Sequence, residues 1–211
     1  MEKMKLDFEK VYTSNNGATW TREEPHEELV KLIKNERIMP CKTLEVGCGE
    51  GRDAIYLASR GFDVTAIDIS ETAIEKAREN AKKAGVNIQF KVLNLNNLNE
   101  LNEKFDFIIE WAIMHCIPFE KRKNYVKQVS EVLNENGKYF SICFNIQSPI
   151  FGNVGERIRE GTRAPGIKIY FTPQEEIEDL FKEYFNIKIS KVIETVGKTG
   201  QHVWNYFLLT K

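Results

Sequence analysis

Lys42-Thr43-Leu44-Glu45-Val46-Gly47-Cys48-Gly49-Glu50-Gly51-Arg52 is the stretch whose reading decides the fold. An apolar run ends in an acid, three glycines follow at alternate positions, and Ala54-Ile55-Tyr56-Leu57-Ala58 then has helical character. Strand, glycine turn and helix open a nucleotide-type α/β domain, because glycine lets backbone approach a ligand closely. Sixteen residues past Arg52, a second apolar run, Phe62-Asp63-Val64-Thr65-Ala66-Ile67, ends in Asp68. An acid at that point can accept two ribose hydroxyls.

Working outward, strands are expected at 41–46, 63–67, 87–93, 105–110 and 138–144, with helices at 52–60, 71–83 and 119–133 between them. Ser70 reads as the cap of the second helix and Gly85 as its stop. The segment 134–137 reads as a turn. Strand–helix alternation with short links predicts a mostly parallel sheet. On the amino side, helices are expected near 8–12 and 27–33, with a turn at 14–17 and an end at Pro40. On the carboxyl side, 145–170 is polar and glycine-rich and too long for a simple connection, so it reads as a substrate loop or lid. Thr172 caps a helix reaching about 184, with Pro173 at its first position. Strands at 185–193 and 201–210, joined by a short link, should pair as an antiparallel hairpin. The expected organisation is a cap segment, 1–40, and one domain, 41–211, with the insert at 145–172.

The bulk numbers narrow the class. With 30 basic and 31 acidic residues the net charge is -1, which gives no reason to expect nucleic acid. No apolar run is long enough for a membrane span, and the first residues carry no apolar signal segment. A cytoplasmic protein is expected, working as a monomer or a homodimer. The four cysteines, Cys41, Cys48, Cys116 and Cys143, form no CxxC pair, and His26, His115 and His202 are scattered, so no metal site is expected.

The glycine turn is not the dinucleotide fingerprint, which needs glycine where Arg52 stands; nor does it hold the Lys-Ser/Thr pair of a P-loop. Glu45 would repel a phosphate, so a cationic or amine-bearing ligand suits it better. Glu45-Val46-Gly47-Cys48-Gly49-Glu50-Gly51 resembles the acid-x-Gly-x-Gly-x-Gly motif of class I S-adenosylmethionine-dependent methyltransferases, and the ordered match extends over 41–144. The resemblance implies a Rossmann-like three-layer sandwich, with a seven-stranded, mostly parallel sheet and an antiparallel C-terminal strand. It implies that Gly47, Cys48, Gly49 and Gly51 lie against the methionine and ribose part of S-adenosylmethionine. Asp68 then takes the ribose hydroxyls, Ile69 lies beside the adenine, and Asn94-Leu95-Asn96 makes the remaining adenine contacts. The product would be S-adenosylhomocysteine.

Strand carboxyl ends form the ligand edge of such a sheet. On this reading Glu110, Trp111 and His115 lie on the substrate side, Glu110 orienting substrate or cofactor and His115 as the candidate base. Glu110-Trp111-Ala112-Ile113 stands where amide- and adenine-methylating members carry Asn/Asp-Pro-Pro-Tyr/Phe, which argues for another acceptor. Trp20-Thr21-Arg22-Glu23-Glu24-Pro25 is similar to a Pro-Trp-Asp-x-Gly-x-Pro segment of the thiopurine, thiol and tellurite branch, implying that Trp20 covers the cofactor or the substrate entrance. Arg157 and Arg163, with Arg159 between them, could meet an anionic substrate. The expected function is methyl transfer to a small-molecule acceptor by in-line displacement. The alternatives are a methyltransferase acting on RNA or protein and a non-catalytic cofactor-binding module.

Overall fold

A computed structural model describes residues 2–14, 18, 20–161, 166–197 and 200–211. The chain divides into two compact units, Met1–Leu95 and Asn96–Lys211.

The first unit holds α1 (Glu2–Thr13), α2 (Glu27–Asn35), β1 (Lys42–Val46), α3 (Arg52–Ser59), β2 (Asp63–Asp68), α4 (Glu71–Ala84) and β3 (Gln89–Val92). β1 and β2 are parallel, with Glu45 opposite Ala66, and β2 pairs in parallel with β3. From Thr43 to Val46 and from Val64 to Asp68 every residue is buried, as expected for strands covered on both faces. Helix α4 forms where its caps dictate. The Ser70 hydroxyl accepts the Ala73 amide, Gly85 closes the helix in the left-handed region, and Ala73, Ile74, Ala77 and Ala81 make its buried stripe.

The second unit holds β4 (Phe105–Trp111), α5 (Phe119–Val132), β5 (Leu133–Phe144), β6 (Ile158–Glu160), β7 (Lys168–Tyr170), α6 (Gln174–Lys182), β8 (Asn186–Gly197) and β9 (Gly200–Thr210). Two 3-10 segments, Leu95–Leu101 and Met114–Cys116, flank β4 in sequence. β4 and β5 are parallel, β9 runs antiparallel to β5, and β8 antiparallel to β9, so β9 alone is reversed. Seven strands form one sheet in the order β3-β2-β1-β4-β5-β9-β8, which bears out the expected seven-stranded α/β architecture; β6 and β7 make a separate two-stranded sheet.

Two local expectations change. The segment 134–137 is part of β5, where Asn136 takes a φ of 65° and the pairing with β4 shifts register. A left-handed residue thus produces a bulge rather than a chain reversal. Thr172 does not cap α6: its hydroxyl accepts from Arg122, and Pro173 occupies the cap position. The 145–172 insert carries the β6–β7 hairpin and a buried arginine, Arg159. The residues 15–17, 162–165 and 198–199 lie outside the described residues, among them most of the expected 14–17 turn and Arg163. Among the described residues, no helix is long and apolar enough to cross a membrane.

Candidate functional site

In the first unit, the turn after β1 folds back onto β2. The Gly47 and Cys48 amides both donate to the Ile67 carbonyl, at 2.8 and 2.9 Å. All three glycines have positive φ, 72°, 52° and 79° in order. At Gly49 a Cβ would approach the Tyr12 hydroxyl to 2.8 Å, and at Gly51, the cap residue of α3, it would press on Ala77 and Phe90. Any other residue would be strained in this backbone and crowded by its neighbours.

Asp68 is oriented by backbone. One carboxylate oxygen accepts the Gly49 amide and the other the Ser70 amide, each at 2.9 Å. A carboxylate has about four lone-pair directions, so each oxygen can accept once more. Burial raises the Asp68 pKa, with the Ser70, Gly49 and Ile69 amides opposing it. Glu45, next to last in β1, is 5% exposed, and its Oε2 is a buried polar atom with no hydrogen-bond partner among the described residues. Burial pushes its carboxyl well above the ordinary range, and the nearby Asp53 charge adds to this while the Ala54 amide opposes it. Asp53 itself is engaged: His26 donates its backbone amide to Oδ1 at 2.8 Å, and its Nδ1 lies 2.6 Å from Oδ2. A buried acid with one oxygen left unpartnered among the described residues, beside further acids, matches a cationic hydrogen-bond donor. Cys48 is filler here, its thiol buried and pushed well up by burial.

Tyr12, unanticipated in the sequence, is 4% exposed, and its Oη accepts the indole N–H of Trp20 at 2.9 Å. Trp20 also stands edge-on to Phe8 and Tyr12 and keeps 42% of its surface exposed. Glu9, on the same helix as Tyr12, accepts from the Ser70 hydroxyl at 2.6 Å and from Thr72, fastening α1 to the start of α4. Ile69 follows Asp68 directly, and the Leu93 amide donates to the Asp68 carbonyl at 2.9 Å, which brings the start of the Asn94-Leu95 segment to the end of β2.

In the second unit the expected substrate-side residues separate into two environments. Glu110 is completely buried: Tyr139 and Ser141 donate to one oxygen at 2.6 and 2.5 Å, and Tyr125 to the other at 2.7 Å. Burial raises its pKa against those three hydroxyls. The residue expected to orient substrate is therefore the hub of a sealed network. Trp111 and His115 belong to an aromatic cluster at the ends of β4, β5 and β9. His115 stacks on Phe144 at 4.4 Å, Phe144 on Trp204 at 4.2 Å, and Trp111 meets Trp204 at 5.7 Å. The antiparallel register sets Phe144 opposite Trp204, and that long-range pairing is what a linear reading could not supply.

The arginines of the insert are engaged. Arg157 makes a two-point pair with Glu176 at 2.7 and 2.5 Å and lies over the Phe119 ring. Arg159 donates to the Ser148, Ile150, Ile146 and Glu156 carbonyls and covers Phe171. It organises the loop instead of offering a free cation. Asn96 receives the Gln128 side-chain amide on its carbonyl at 2.6 Å. Among the described residues, no group of three or more His, Cys, Asp or Glu could hold a metal ion.

Comparison with known proteins agrees with this geometry. Residues 43–137 match the family model described as a methyltransferase domain. A 2-heptyl-1-hydroxyquinolin-4(1H)-one methyltransferase of Mycobacteroides abscessus is 30% identical over 127 residues, 60% of this chain and 56% of that one. The probable S-adenosyl-L-methionine-dependent methyltransferase TehB of Haemophilus influenzae is 34% identical over 100 residues, 47% of this chain and 35% of that one. The chain thus matches about half or less of the length of these relatives. An uncharacterised methyltransferase of Schizosaccharomyces pombe is 33% identical over 102 residues, 48% of this chain and 70% of that one. In fold, the Burkholderia thailandensis 1,6-didemethyltoxoflavin-N1-methyltransferase, solved with bound 1,6-didemethyltoxoflavin and S-adenosylhomocysteine, superposes with a TM-score of 0.77 at 20% identity, over all of this chain and 88% of that one. The acid-glycine turn, the ordered Asp68 and these relatives together make the chain a member of the S-adenosylmethionine-dependent methyltransferase family.

Proposed function

We propose that the protein transfers a methyl group from S-adenosylmethionine to a small-molecule acceptor. The observation that carries the reading is Glu45 Oε2, a buried carboxylate oxygen with no partner among the described residues. The residues present fit the cofactor. Glu45 would hold its ammonium group, the open lone pairs of Asp68 its two ribose hydroxyls, and the positive-φ turn Gly47-Cys48-Gly49-Glu50-Gly51 would let backbone lie against it. Ile69 and the Asn94-Leu95-Asn96 segment serve the adenine, and Trp20, held by Tyr12, covers the site. When bound, the cofactor supplies an electrophilic methyl on a sulfonium sulfur.

The chain's own contribution is to hold the two reactants aligned and dry, which can supply about 7–11 kcal/mol of the barrier. His115, Trp111 and the rings around them serve the acceptor. Glu110 fixes the strand end from which Trp111 projects. The hydroxyquinolone and didemethyltoxoflavin enzymes, both acting on small molecules, support the choice of a small-molecule acceptor. Calorimetric titration with S-adenosylmethionine, S-adenosylhomocysteine and NAD tests the donor: NAD binding without the other two would sink the reading. A screen of thiols, amines, phenols and metalloid oxyanions for S-adenosylhomocysteine formation, with a protein extract and bulk RNA as further arms, tests the acceptor. Turnover confined to protein or RNA would overturn the small-molecule assignment, and cofactor binding without turnover on any acceptor would point to a binding module.

A further inference from the structure

We infer that His26 is a positioning residue for the cofactor site: by holding both oxygens of Asp53 it keeps that acid from sharing a proton with Glu45, and so leaves Glu45 Oε2 to the cofactor's ammonium group. This rests on the donor reading above and adds to it a residue from outside the glycine turn; all the groups involved lie in the first unit. A cap residue ordinarily turns its side chain to the first amides of the helix that it starts. His26 starts α2, and the Leu29 and Val30 amides donate to its carbonyl, but its ring makes no capping bond. The ring turns to α3 instead. Nδ1 lies 2.6 Å from Asp53 Oδ2, and the His26 amide donates to Oδ1 at 2.8 Å. Asp53 is 3% exposed, in the first turn of α3. The segment before His26 runs along the same turn: the Thr21 hydroxyl donates to Glu50 at 3.2 Å, and Arg52 Nε donates to the Arg22 carbonyl at 2.8 Å. His26 thus reaches Asp53 from a strap that is itself tied down.

Two buried carboxyl groups that feel each other's charge do not both ionise readily, and one proton held between them is the favoured arrangement. Glu45 and Asp53 are such a pair. Burial comes first among the causes that hold the Glu45 proton and the Asp53 charge second, while the amide of Ala54, the residue after Asp53, opposes them. A proton shared with Asp53 would fill the lone pair on Oε2, and an arriving ammonium group would have to displace it. His26 removes that option. Its backbone amide can only donate, so Asp53 Oδ1 is an acceptor. The proton between Nδ1 and Oδ2 belongs to the His26–Asp53 pair, whichever of the two atoms carries it. With each Asp53 oxygen tied to His26, Glu45 Oε2 stays without a partner among the described residues. Asp68, the other acid that acts on Glu45, is held in a similar way by the Gly49 and Ser70 amides. The acids beside Glu45 are thus each directed to a donor of the protein, and Glu45 alone is left for a ligand.

Calorimetric titration with S-adenosylhomocysteine, which carries the same ammonium group, reads binding without turnover. H26L keeps bulk at the position but has no side-chain N–H, and it should bind about 10-fold more weakly than wild type, the worth of one hydrogen bond to a charged group. D53N keeps an acceptor for the His26 amide and has no acid proton to share, so its affinity should stay within about threefold of wild type. The double variant H26L/D53A removes the pair altogether, and its affinity should return to within about threefold of wild type as well. Recovery by the second substitution is what a residue acting through Asp53 produces; a residue that only holds α2 in place would cost the same in both backgrounds. Wild-type affinity in H26L, a loss of about 10-fold or more in D53N, or no recovery in H26L/D53A overturns the inference. A melt of each unliganded variant shows that it is folded, and if H26L does not fold, D53N decides alone. Absence of binding in the wild type strikes the donor reading itself, which separates the two failures.

Discussion

Glu45 and Glu110 are the same residue in nearly the same setting. Each is next to last in a parallel strand, β1 or β4, and each is buried with its pKa raised chiefly by burial. They differ in company. Glu110 gathers three hydroxyls from α5 and β5, whereas Glu45 leaves Oε2 with none among the described residues. Burial of an acid is therefore no sign of function by itself. The informative quantity is whether its hydrogen-bonding capacity is used up within the protein. On the proposed reading Glu110 serves stability and Glu45 cofactor binding, and substitutions should separate the two.

The largest effect is expected at Glu110. Alanine there leaves Tyr125, Tyr139 and Ser141 with buried hydroxyls and no common acceptor. Each such group costs about 1–3 kcal/mol, and partial repairing among the three holds the total to about 3–5 kcal/mol. At about 2–4 °C per kcal/mol for a chain of this size, the unfolding midpoint should fall by about 10 °C. A midpoint within about 2 °C of wild type would mean that the network is not a structural hub.

Glu45→Gln should do the reverse. It keeps the shape and removes the charge, so cofactor affinity should drop about 10- to 100-fold, as for a lost charged hydrogen bond. The unliganded midpoint should stay level or rise, because a buried acid with an unpartnered oxygen opposes folding. Calorimetry and a melt on the same sample decide it; an unchanged Kd would remove Glu45 from the site.

The contrast extends to protons. Glu45 has a folded pKa raised above the ordinary carboxylate value, so its contribution to unliganded stability is fully present below that ordinary value and is lost as pH rises through the folded pKa. A cationic ligand favours the ionised form. Cofactor affinity should therefore climb as pH rises through the same window, with proton release on binding. Asp68, also raised, adds a term of the same sign that Glu45→Gln leaves in place. Titrations in buffers of different ionisation enthalpy would measure the release; equal release in wild type and Glu45→Gln would assign it elsewhere.

Much of the first unit was legible because its signals are local. The acid, three glycines and Asp68 lie within 24 residues, and the Ser70 and Gly85 caps are single-residue signals that the helix α4 obeys. The second unit was less legible because its groups meet across long separations. Glu110 finds Ser141 31 positions away, and Arg122 takes the Thr172 hydroxyl 50 positions away, removing it from the cap role its neighbours suggest. Tyr12 reads as an ordinary helical aromatic until α1 packs it against Gly49. Periodicity and turn chemistry report what a residue prefers locally. They do not report which distant partner reaches it first.

The smallest expected effect tests how firmly α1 is fastened to the first unit. The Glu9 carboxylate takes the Ser70 hydroxyl, the Thr72 amide and the Thr72 hydroxyl at the start of α4, where the helix dipole favours negative charge. Burial opposes its ionisation, but these donors outweigh it and lower the Glu9 pKa. Its contribution is thus present above the ordinary carboxylate value and lost as pH falls through the folded one. Glu9→Gln should cost about 1 kcal/mol, the worth of a helix cap. Because Tyr12 and Trp20 lie on the same support, cofactor affinity should weaken modestly as well. Lys5, on the same helix, pairs with Glu71 at 2.8 Å with both side chains exposed, and such pairs contribute little. Lys5→Ala is therefore the matched control, with midpoint and affinity unchanged. If the two variants behave alike, α1 is held by its apolar contacts around Tyr12 and Ala73 and not by the Glu9 cap.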